Sequence, residues 1–148
     1  MQNSVRADDI LIRWGGEEFL IVLKNIPVRK LFDVAKNIRK TIENHSFETQ
    51  NGESIWVTAS MGLVYMPFFI FEPKLLSFEN IITLADLALY HSKNSGRDKA
   101  TFVVPGKNIP KTPEEIQGML SSSEFAEING FFSFEYIEPD NFSEFEIE

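Results

Sequence analysis

The chain of 148 residues is 43% hydrophobic and 13% aromatic, which is enough apolar material for the core of one domain and excludes a disordered chain. It has no cysteine and only two histidines, so a disulfide framework and a thiolate metal site are excluded and a histidine-based zinc site is disfavoured. All 14 Lys and Arg precede residue 112, whereas 10 of the 22 Asp and Glu follow it. This asymmetry indicates a boundary near Thr112 and argues against nucleic acid as the partner.

Neither a membrane span nor a targeting segment is visible in the sequence. The most apolar stretch, Ala59 to Phe71, is too short to cross a bilayer and contains Pro67. The residues from Met1 to Ser4 do not resemble the start of a signal peptide. We therefore expect a cytoplasmic protein without a membrane span.

The first predicted element is a β-hairpin over residues 10 to 23. Two apolar runs, Ile10–Trp14 and Phe19–Leu23, flank a connection that begins with Gly15-Gly16, and a two-residue glycine turn accepts the positive φ values that such hairpins need. The glycines allow a phosphate to approach the main-chain N–H groups, and the adjacent Glu17 and Glu18 offer the oxygen ligands that Mg²⁺ prefers. The alternative is a surface hairpin with two solvated glutamates.

A helix and a long strand are predicted next. Apolar residues recur at helical spacing from Leu31 to Ile42, which predicts an amphipathic helix packed on a sheet. Asn51-Gly52 predicts a turn, and the alternation from Ile55 to Val64 predicts a central strand covered on both faces. The aromatics of the following loop, residues 66–77, are interpreted as core rather than as a ligand site.

The second predicted helix begins at Ser77 or Glu79 and stops at Gly96, with the cation of Lys93 in its last turn as the helix dipole favours. A closing strand is predicted over residues 101–104. The order hairpin, helix, strand, helix, strand indicates an α/β (α+β) fold in which helices pack on a mainly antiparallel sheet.

The remaining residues, 106–148, are predicted to form an acidic C-terminal extension separate from a domain at 1–105. Pro113 indicates a helix start, and Asn129-Gly130 between two apolar runs predicts a second hairpin. We expect a small appendage docked on the domain or on a partner, followed by a frayed acidic end.

Four separate motifs, in the same order along the chain, resemble those of the GGDEF family, the diguanylate cyclases. The resemblance covers Val5 to Phe102 and implies a nucleotide-cyclase-like palm that lacks its N-terminal part, including an Asp-rich strand that supplies a further metal ligand. The four motifs are Arg6-Ala7-Asp8-Asp9, Gly15-Gly16-Glu17-Glu18-Phe19, Val57-Thr58-Ala59-Ser60-Met61-Gly62, and the segment from Ala85 to Arg97.

The resemblance implies that two domains meet as a homodimer and condense two GTP into cyclic di-GMP with Mg²⁺ or Mn²⁺. Glu17 is then a metal ligand that contributes to activating the attacking hydroxyl, and Glu18 is a second acidic catalytic group. The backbone of Gly15 and Gly16 approaches the nucleotide.

Two further pairs acquire roles by resemblance. Lys93 and Arg97 match positions that hold the terminal phosphates of GTP, although an ordinary cationic helix end is the alternative. Arg6 and Asp9 match a product-inhibition site for cyclic di-GMP, although Arg-x-x-Asp alone often marks a solvated turn. Where some family members carry a second inhibitory arginine, this chain has Asn37, and we ask whether Lys36 or Arg39 substitutes for it.

The chain alone is predicted to be an incomplete cyclase, with a sensory region upstream. The alternative is a non-catalytic module that binds cyclic di-GMP or GTP and regulates a partner. A third alternative, an interaction scaffold, depends on the acidic aromatic tail.

Overall fold

The computed structural model describes residues 5–137, which divide into two compact units, 5–59 and 60–137. The first unit contains β1 (Ile10–Gly15), β2 (Glu18–Val22), α1 (Val28–Glu43), β3 (Phe47–Glu48) and β4 (Ser54–Ile55). The second contains β5 (Met61–Leu63), α2 (Phe78–Asn94), β6 (Ala100–Pro105), α3 (Pro113–Ser121), α4 (Ser123–Ile128) and β7 (Phe132–Ile137).

The predicted first hairpin is confirmed, but its turn lies one residue later than predicted. β1 and β2 pair in antiparallel register, and Gly15 is itself paired, with Glu18. The connection is therefore Gly16-Glu17 rather than Gly15-Gly16. The register shifts between Arg13 and Gly15, so that Trp14 is an extra residue on β1, a β-bulge that sequence alternation does not reveal.

Helix α1 and the turn at Gly52 follow the predicted pattern. α1 buries Leu31, Phe32, Ala35 and Ile38, which recur at the spacing of one helix face. β3 and β4 pair around the predicted turn, in which Gly52 has a φ of 79°. Glycine adopts this left-handed conformation without the penalty that a Cβ atom brings.

The predicted strand from Ile55 to Val64 is wrong, because only residues near its two ends belong to hydrogen-bonded β-strands. β4 ends at Ile55, β5 begins at Met61, and the residues between them form no strand. Alternation reports which faces are apolar, whereas a strand also needs hydrogen-bonded neighbours. β5 is an edge strand rather than a central one, since the sheet order is β5-β6-β7.

Helix α2 is confirmed and packs very closely on β5. Ser77 caps it with a reciprocal capping box to Asn80. A Cβ atom added at Gly62 would lie 2.1 Å from the carbonyl oxygen of Ala85, so only glycine permits this approach. The buried hydroxyls of Ser92 and Thr101 lie 2.6 Å apart, and Ser92 also donates to the carbonyl of Met61 at 2.8 Å.

The second predicted hairpin is wrong, because residues 125–128 belong to α4. Asn129-Gly130 ends that helix instead of turning a hairpin: Gly130 has a φ of 66°, its N–H donates to Glu127, and the N–H of Phe131 donates to Ala126. These two bonds are the Schellman pattern of a helix C-terminus. A glycine with positive φ is compatible with both a hairpin turn and a helix C-terminus, so the sequence alone does not distinguish these two structures.

The C-terminal extension supplies part of the second unit's core. β7 pairs antiparallel with β6 along its whole length, which makes β6 the central strand rather than a closing edge. One cluster of buried side chains contains Phe68, Leu84 and Val103 together with Met119 and Phe132 from the extension. The boundary at residue 105 stays a prediction, and the predicted acidic end at 138–148 lies outside the described residues.

Candidate functional site

The side chain of Arg13 holds the hairpin turn. Its Nε and Nη2 atoms donate to the carbonyl oxygen of Gly16 at 3.0 and 2.8 Å. Gly16 has a φ of 52°, so the turn places its carbonyl under a two-pronged guanidinium clamp. The next two residues, Glu17 in the turn and Glu18 at the start of β2, are both exposed.

Neither the backbone conformation nor the packing of the chain requires a glycine at position 15. Its φ lies outside the positive range, and a Cβ atom added to it would meet nothing within 4 Å. A side chain could therefore be accommodated there within this unit. Close approach of another molecule to this backbone is a physical reason for a glycine at such a position.

Glu17 and Glu18 supply only part of a magnesium site. Mg²⁺ is commonly held by one or two carboxylates together with substrate phosphates, and a two-metal reaction needs several fixed oxygens. Within residues 5–137 there is no group of three or more His, Cys, Asp or Glu side chains that could hold a metal ion. The carboxylates of this turn are suited to a metal ion in kind but not in number.

The Arg-x-x-Asp motif forms a closed turn in the first unit. The N–H of Arg6 donates to Asp9 Oδ2 at 2.8 Å, and the N–H of Asp9 donates back to the carbonyl of Arg6 at 3.1 Å. The other oxygen of Asp9 accepts the N–H of Lys24 at 3.0 Å. The carboxylate of Asp9 therefore ties this turn to the residue that follows the hairpin.

A hollow of about 250 Å³ opens beside this turn. Arg6, Asp9 and Lys24 supply its polar groups, and Val5, Leu23, Ile26 and Val34 supply its apolar wall. The N–H of Lys24 lowers the pKa of Asp9 and outweighs partial burial, which acts in the opposite direction; the N–H of Arg6 and both positive charges add to the lowering. The hollow thus presents two cations and one carboxylate that stays ionised.

Neither expected substitute for a second arginine lines this hollow. Asn37 is exposed on α1, and its carbonyl accepts the hydroxyl of Thr41 at 2.8 Å. Arg39 lies 4.0 Å from the carboxylate of Glu43. Lys24 is the additional cation that lines the hollow with Arg6. It lies 18 residues after Arg6 in the sequence, so the Arg-x-x-Asp motif does not include it.

Lys93 and Arg97 lie at the end of α2 in the second unit. Lys93 is half-buried in the last turn of the helix, and Arg97 is exposed in the loop after it. Arg97 has a φ of 60°, and its N–H donates to the carbonyl of Ser92 at 3.1 Å. A positive φ is uncommon for a residue with a side chain, so contacts of this loop must hold the backbone of Arg97 in that conformation.

The candidate residues thus form three local groups. The structure brings Arg6 and Asp9 together, places Gly15 to Glu18 in and directly beside the β1–β2 turn, and places Lys93 and Arg97 at one helix end. Sequence patterns missed Arg13 and Lys24 because their contacts depend on the bulge and on the path of the chain after β2.

Comparisons with known proteins agree with these local features. The family model "Diguanylate cyclase, GGDEF domain" matches residues 1–99. The chain is 36% identical over 111 residues to Diguanylate cyclase A of Treponema denticola, which covers 75% of this chain and 28% of that protein. It is 34% identical over 97 residues to Diguanylate cyclase DosC of Escherichia coli K12, which covers 66% of this chain and 20% of that protein.

A solved structure shows the same fold. The diguanylate cyclase SiaD of Pseudomonas aeruginosa, determined in complex with its activator SiaC, superposes with a TM-score of 0.59 at 29% identity, over 68% of this chain and 36% of that chain. The chain therefore has a cyclase-like fold. It spans only about a fifth to just over a quarter of the two curated relatives described above.

No helix among residues 5–137 is both long and apolar enough to cross a membrane.

The family match, two relatives and the fold agree with the four motifs and with the hairpin turn that carries two glutamates. This chain belongs to the GGDEF family.

Proposed function

We propose that this chain carries part of the active site of a diguanylate cyclase, which condenses two GTP into cyclic di-GMP. The observation that supports this most is the glycine at position 15. The fold has room for a side chain there, and the exposed carboxylates of Glu17 and Glu18 lie next to it. A backbone open to close approach, with oxygen ligands beside it, suits a nucleotide phosphate and its metal ion.

Each group has a distinct role in this proposal. The main chain at Gly15 and Gly16 approaches the phosphates, Glu17 binds Mg²⁺ or Mn²⁺ and helps to activate the attacking hydroxyl, and Glu18 is a second acidic group. Lys93 and Arg97 contact the terminal phosphates, where a point charge and a planar fork both match phosphate oxygens.

Turnover needs more oxygen ligands than residues 5–137 bring together. These residues offer two carboxylates at the turn and no group of three or more metal-binding side chains, so in this proposal the further ligands come from another segment. Two such assemblies then meet as a homodimer, each with one GTP. Because GTP is the proposed substrate, the cytoplasm is the proposed compartment, and an upstream sensory region is the proposed source of control.

The test is complementation. The part of Treponema denticola Diguanylate cyclase A that precedes its matched region is fused in front of this chain, and cyclic di-GMP is measured by mass spectrometry with GTP and Mg²⁺. We expect product from the fusion and none from the chain alone. A folded fusion that binds GTP without forming product would contradict the proposal.

A second candidate function is regulatory binding of cyclic di-GMP. The hollow beside Arg6, with its apolar wall and the nearby cation of Lys24, supports it. A purine base can lie on the apolar wall while a guanidinium and an ammonium group face its phosphates. In this candidate function Lys24 supplies the second positive charge, which Asn37 cannot supply.

Calorimetry separates this binding from a general attraction of cations. Arg6→Ala and Lys24→Ala should each weaken cyclic di-GMP binding, whereas Arg29→Ala removes an exposed cation on α1 outside the hollow and should leave it unchanged. Each charge-assisted bond contributes about 1.5–3 kcal/mol. Equal weakening by all three variants would identify nonspecific charge effects instead.

A further inference from the structure

Tyr136, on the extension strand β7, contacts the last turn of α2. Its hydroxyl lies 2.8 Å from Nδ1 of His91 and 2.7 Å from Oγ of Ser95. These two residues are four apart, so they lie on one side of the helix, and the hydroxyl bridges successive turns. Lys93 lies between them in sequence and so projects from a different side of the helix.

Aromatic packing places that hydroxyl. The imidazole of His91 stacks on the ring of Phe134 with centroids 4.3 Å apart, and Lys99 Nζ lies 5.4 Å from the centroid of the Tyr136 ring. Phe134 and Tyr136 are two residues apart on β7 and therefore share one face of the strand. The extension thus meets the helix end through two rings and one hydroxyl.

The loop after this helix end has an unusual backbone. Gly96, Arg97 and Asp98 have φ values of 105°, 60° and 48°, and only the first of them is a glycine. For residues with side chains, the left-handed region is sterically unfavourable, so surrounding contacts must hold the loop. Arg97 is held by its bond to Ser92, and the N–H of Asp98 donates to Ser60 Oγ at 3.2 Å.

Ser95 is the C-terminal cap of α2, and it immediately precedes this loop. We propose that Tyr136 is a positioning residue: by holding His91 and Ser95, it fixes the loop that presents Arg97 to a nucleotide phosphate. The phosphate contact itself rests on the proposed cyclase function. The family model ends at residue 99, so the extension adds this device beyond the matched region.

The first test does not depend on nucleotide. Tyr136→Phe removes the hydroxyl while keeping a ring beside His91 and Lys99. Amide hydrogen exchange of Arg97 and Asp98 should accelerate about twofold to tenfold, because the hydroxyl's bonds to His91 and Ser95 are lost, and the ¹⁵N resonances of the His91 imidazole should shift. Tyr90→Phe, on the same helix but 65% exposed, is the control and should change neither. Unchanged exchange in Tyr136→Phe would overturn the proposal.

The second test asks whether Tyr136 acts through Arg97. GTP affinity is measured by calorimetry for Tyr136→Phe, Arg97→Ala and the double variant, at a temperature where melting curves show all of them to be folded. Tyr136→Phe should weaken GTP binding about twofold to tenfold when Arg97 is present and have no further effect when Arg97 is alanine. Equal weakening in both backgrounds would overturn the proposal. If the unaltered chain binds no GTP, the assigned phosphate contact fails, and the exchange measurement alone decides whether Tyr136 positions the loop.

Discussion

The carboxylate of Asp9 accepts the main-chain N–H of Lys24 at 3.0 Å, which joins two segments separated by the whole β1–β2 hairpin. The same carboxylate accepts the N–H of Arg6 at 2.8 Å. Asp9 therefore has a structural role whether or not a ligand enters the hollow beside it. This role makes the motif testable through stability as well as through binding.

The first prediction is a pH dependence from Asp9. Its pKa is lower in the folded chain than in the unfolded chain, where it is about 3.9. The carboxylate therefore stabilises the fold above that value, and the contribution is lost as the pH falls through the folded pKa. Urea unfolding from pH 3 to pH 7 should show Asp9→Asn to be less stable than the unaltered chain at pH 7, with the difference shrinking toward pH 3. Asp8→Asn, which changes an exposed neighbour, should not show this dependence.

The second prediction distinguishes the two glycines of the turn. Gly15→Ala should change the free energy of unfolding by less than about 0.5 kcal/mol, because its Cβ atom meets open space. Gly16→Ala should cost about 1 kcal/mol or more, because the φ of 52° is unfavourable for alanine. If Gly15 is the point of nucleotide approach, Gly15→Ala should nevertheless weaken GTP binding in calorimetry. Normal GTP binding by folded Gly15→Ala would remove the main support for the proposed phosphate approach.

The third prediction concerns Arg13. Both Arg13→Ala and Arg13→Lys should loosen the turn, because an ammonium group cannot reproduce the two-bond guanidinium clamp on the Gly16 carbonyl. The expected sign is faster amide exchange at Glu17 and Glu18, with a loss of about 1 kcal/mol in stability. If amide exchange at Glu17 and Glu18 in Arg13→Lys is as slow as in the unaltered chain, the positive charge rather than the two-bond guanidinium geometry holds the turn.

The fourth prediction tests whether the C-terminal extension is separable. Phe132 and Met119 are fully buried in the core of the second unit. Phe132→Ala should therefore cost about 3–5 kcal/mol, whereas Ile128→Ala, at a side chain that is 77% exposed, should cost less than about 0.5 kcal/mol. Deleting residues 112–148 should lower the melting temperature sharply. A small change would support an independent appendage, as composition suggested.

The sequence predicted the elements that depend on local signals. The helix over Leu31 to Ile42 has strong 3.6-residue periodicity, and the one beginning at Ser77 has a capping box, so both were correct in type and approximate extent. The hairpin was predicted from its glycines. Its turn moved by one residue because the bulge at Trp14 depends on pairing across the strands.

The wrong predictions share a different cause. Asn129-Gly130 provides a positive φ, which suits a hairpin turn and a helix end equally, and the packing of Ala126 and Phe131 decided for the helix end. Ile55 to Val64 alternates like a strand, but Gly62 serves the close approach of α2 over a short edge strand. No local pattern marks Lys24 or Tyr136, because their contacts are made across tertiary structure.

The most direct test of the cyclase proposal is the product formed by the fused enzyme with and without the Glu17 carboxylate. Glu17→Gln keeps the shape of the side chain and removes its charge, and Glu53→Gln serves as a matched control at an exposed glutamate in another turn. Loss of one metal ligand should remove several kcal/mol of transition-state stabilisation, and each 1.36 kcal/mol is about tenfold in rate. Cyclic di-GMP formation by Glu17→Gln should therefore fall by at least about a hundredfold, while Glu53→Gln should retain full activity. Undiminished product from Glu17→Gln would contradict the assignment of this turn as the catalytic centre.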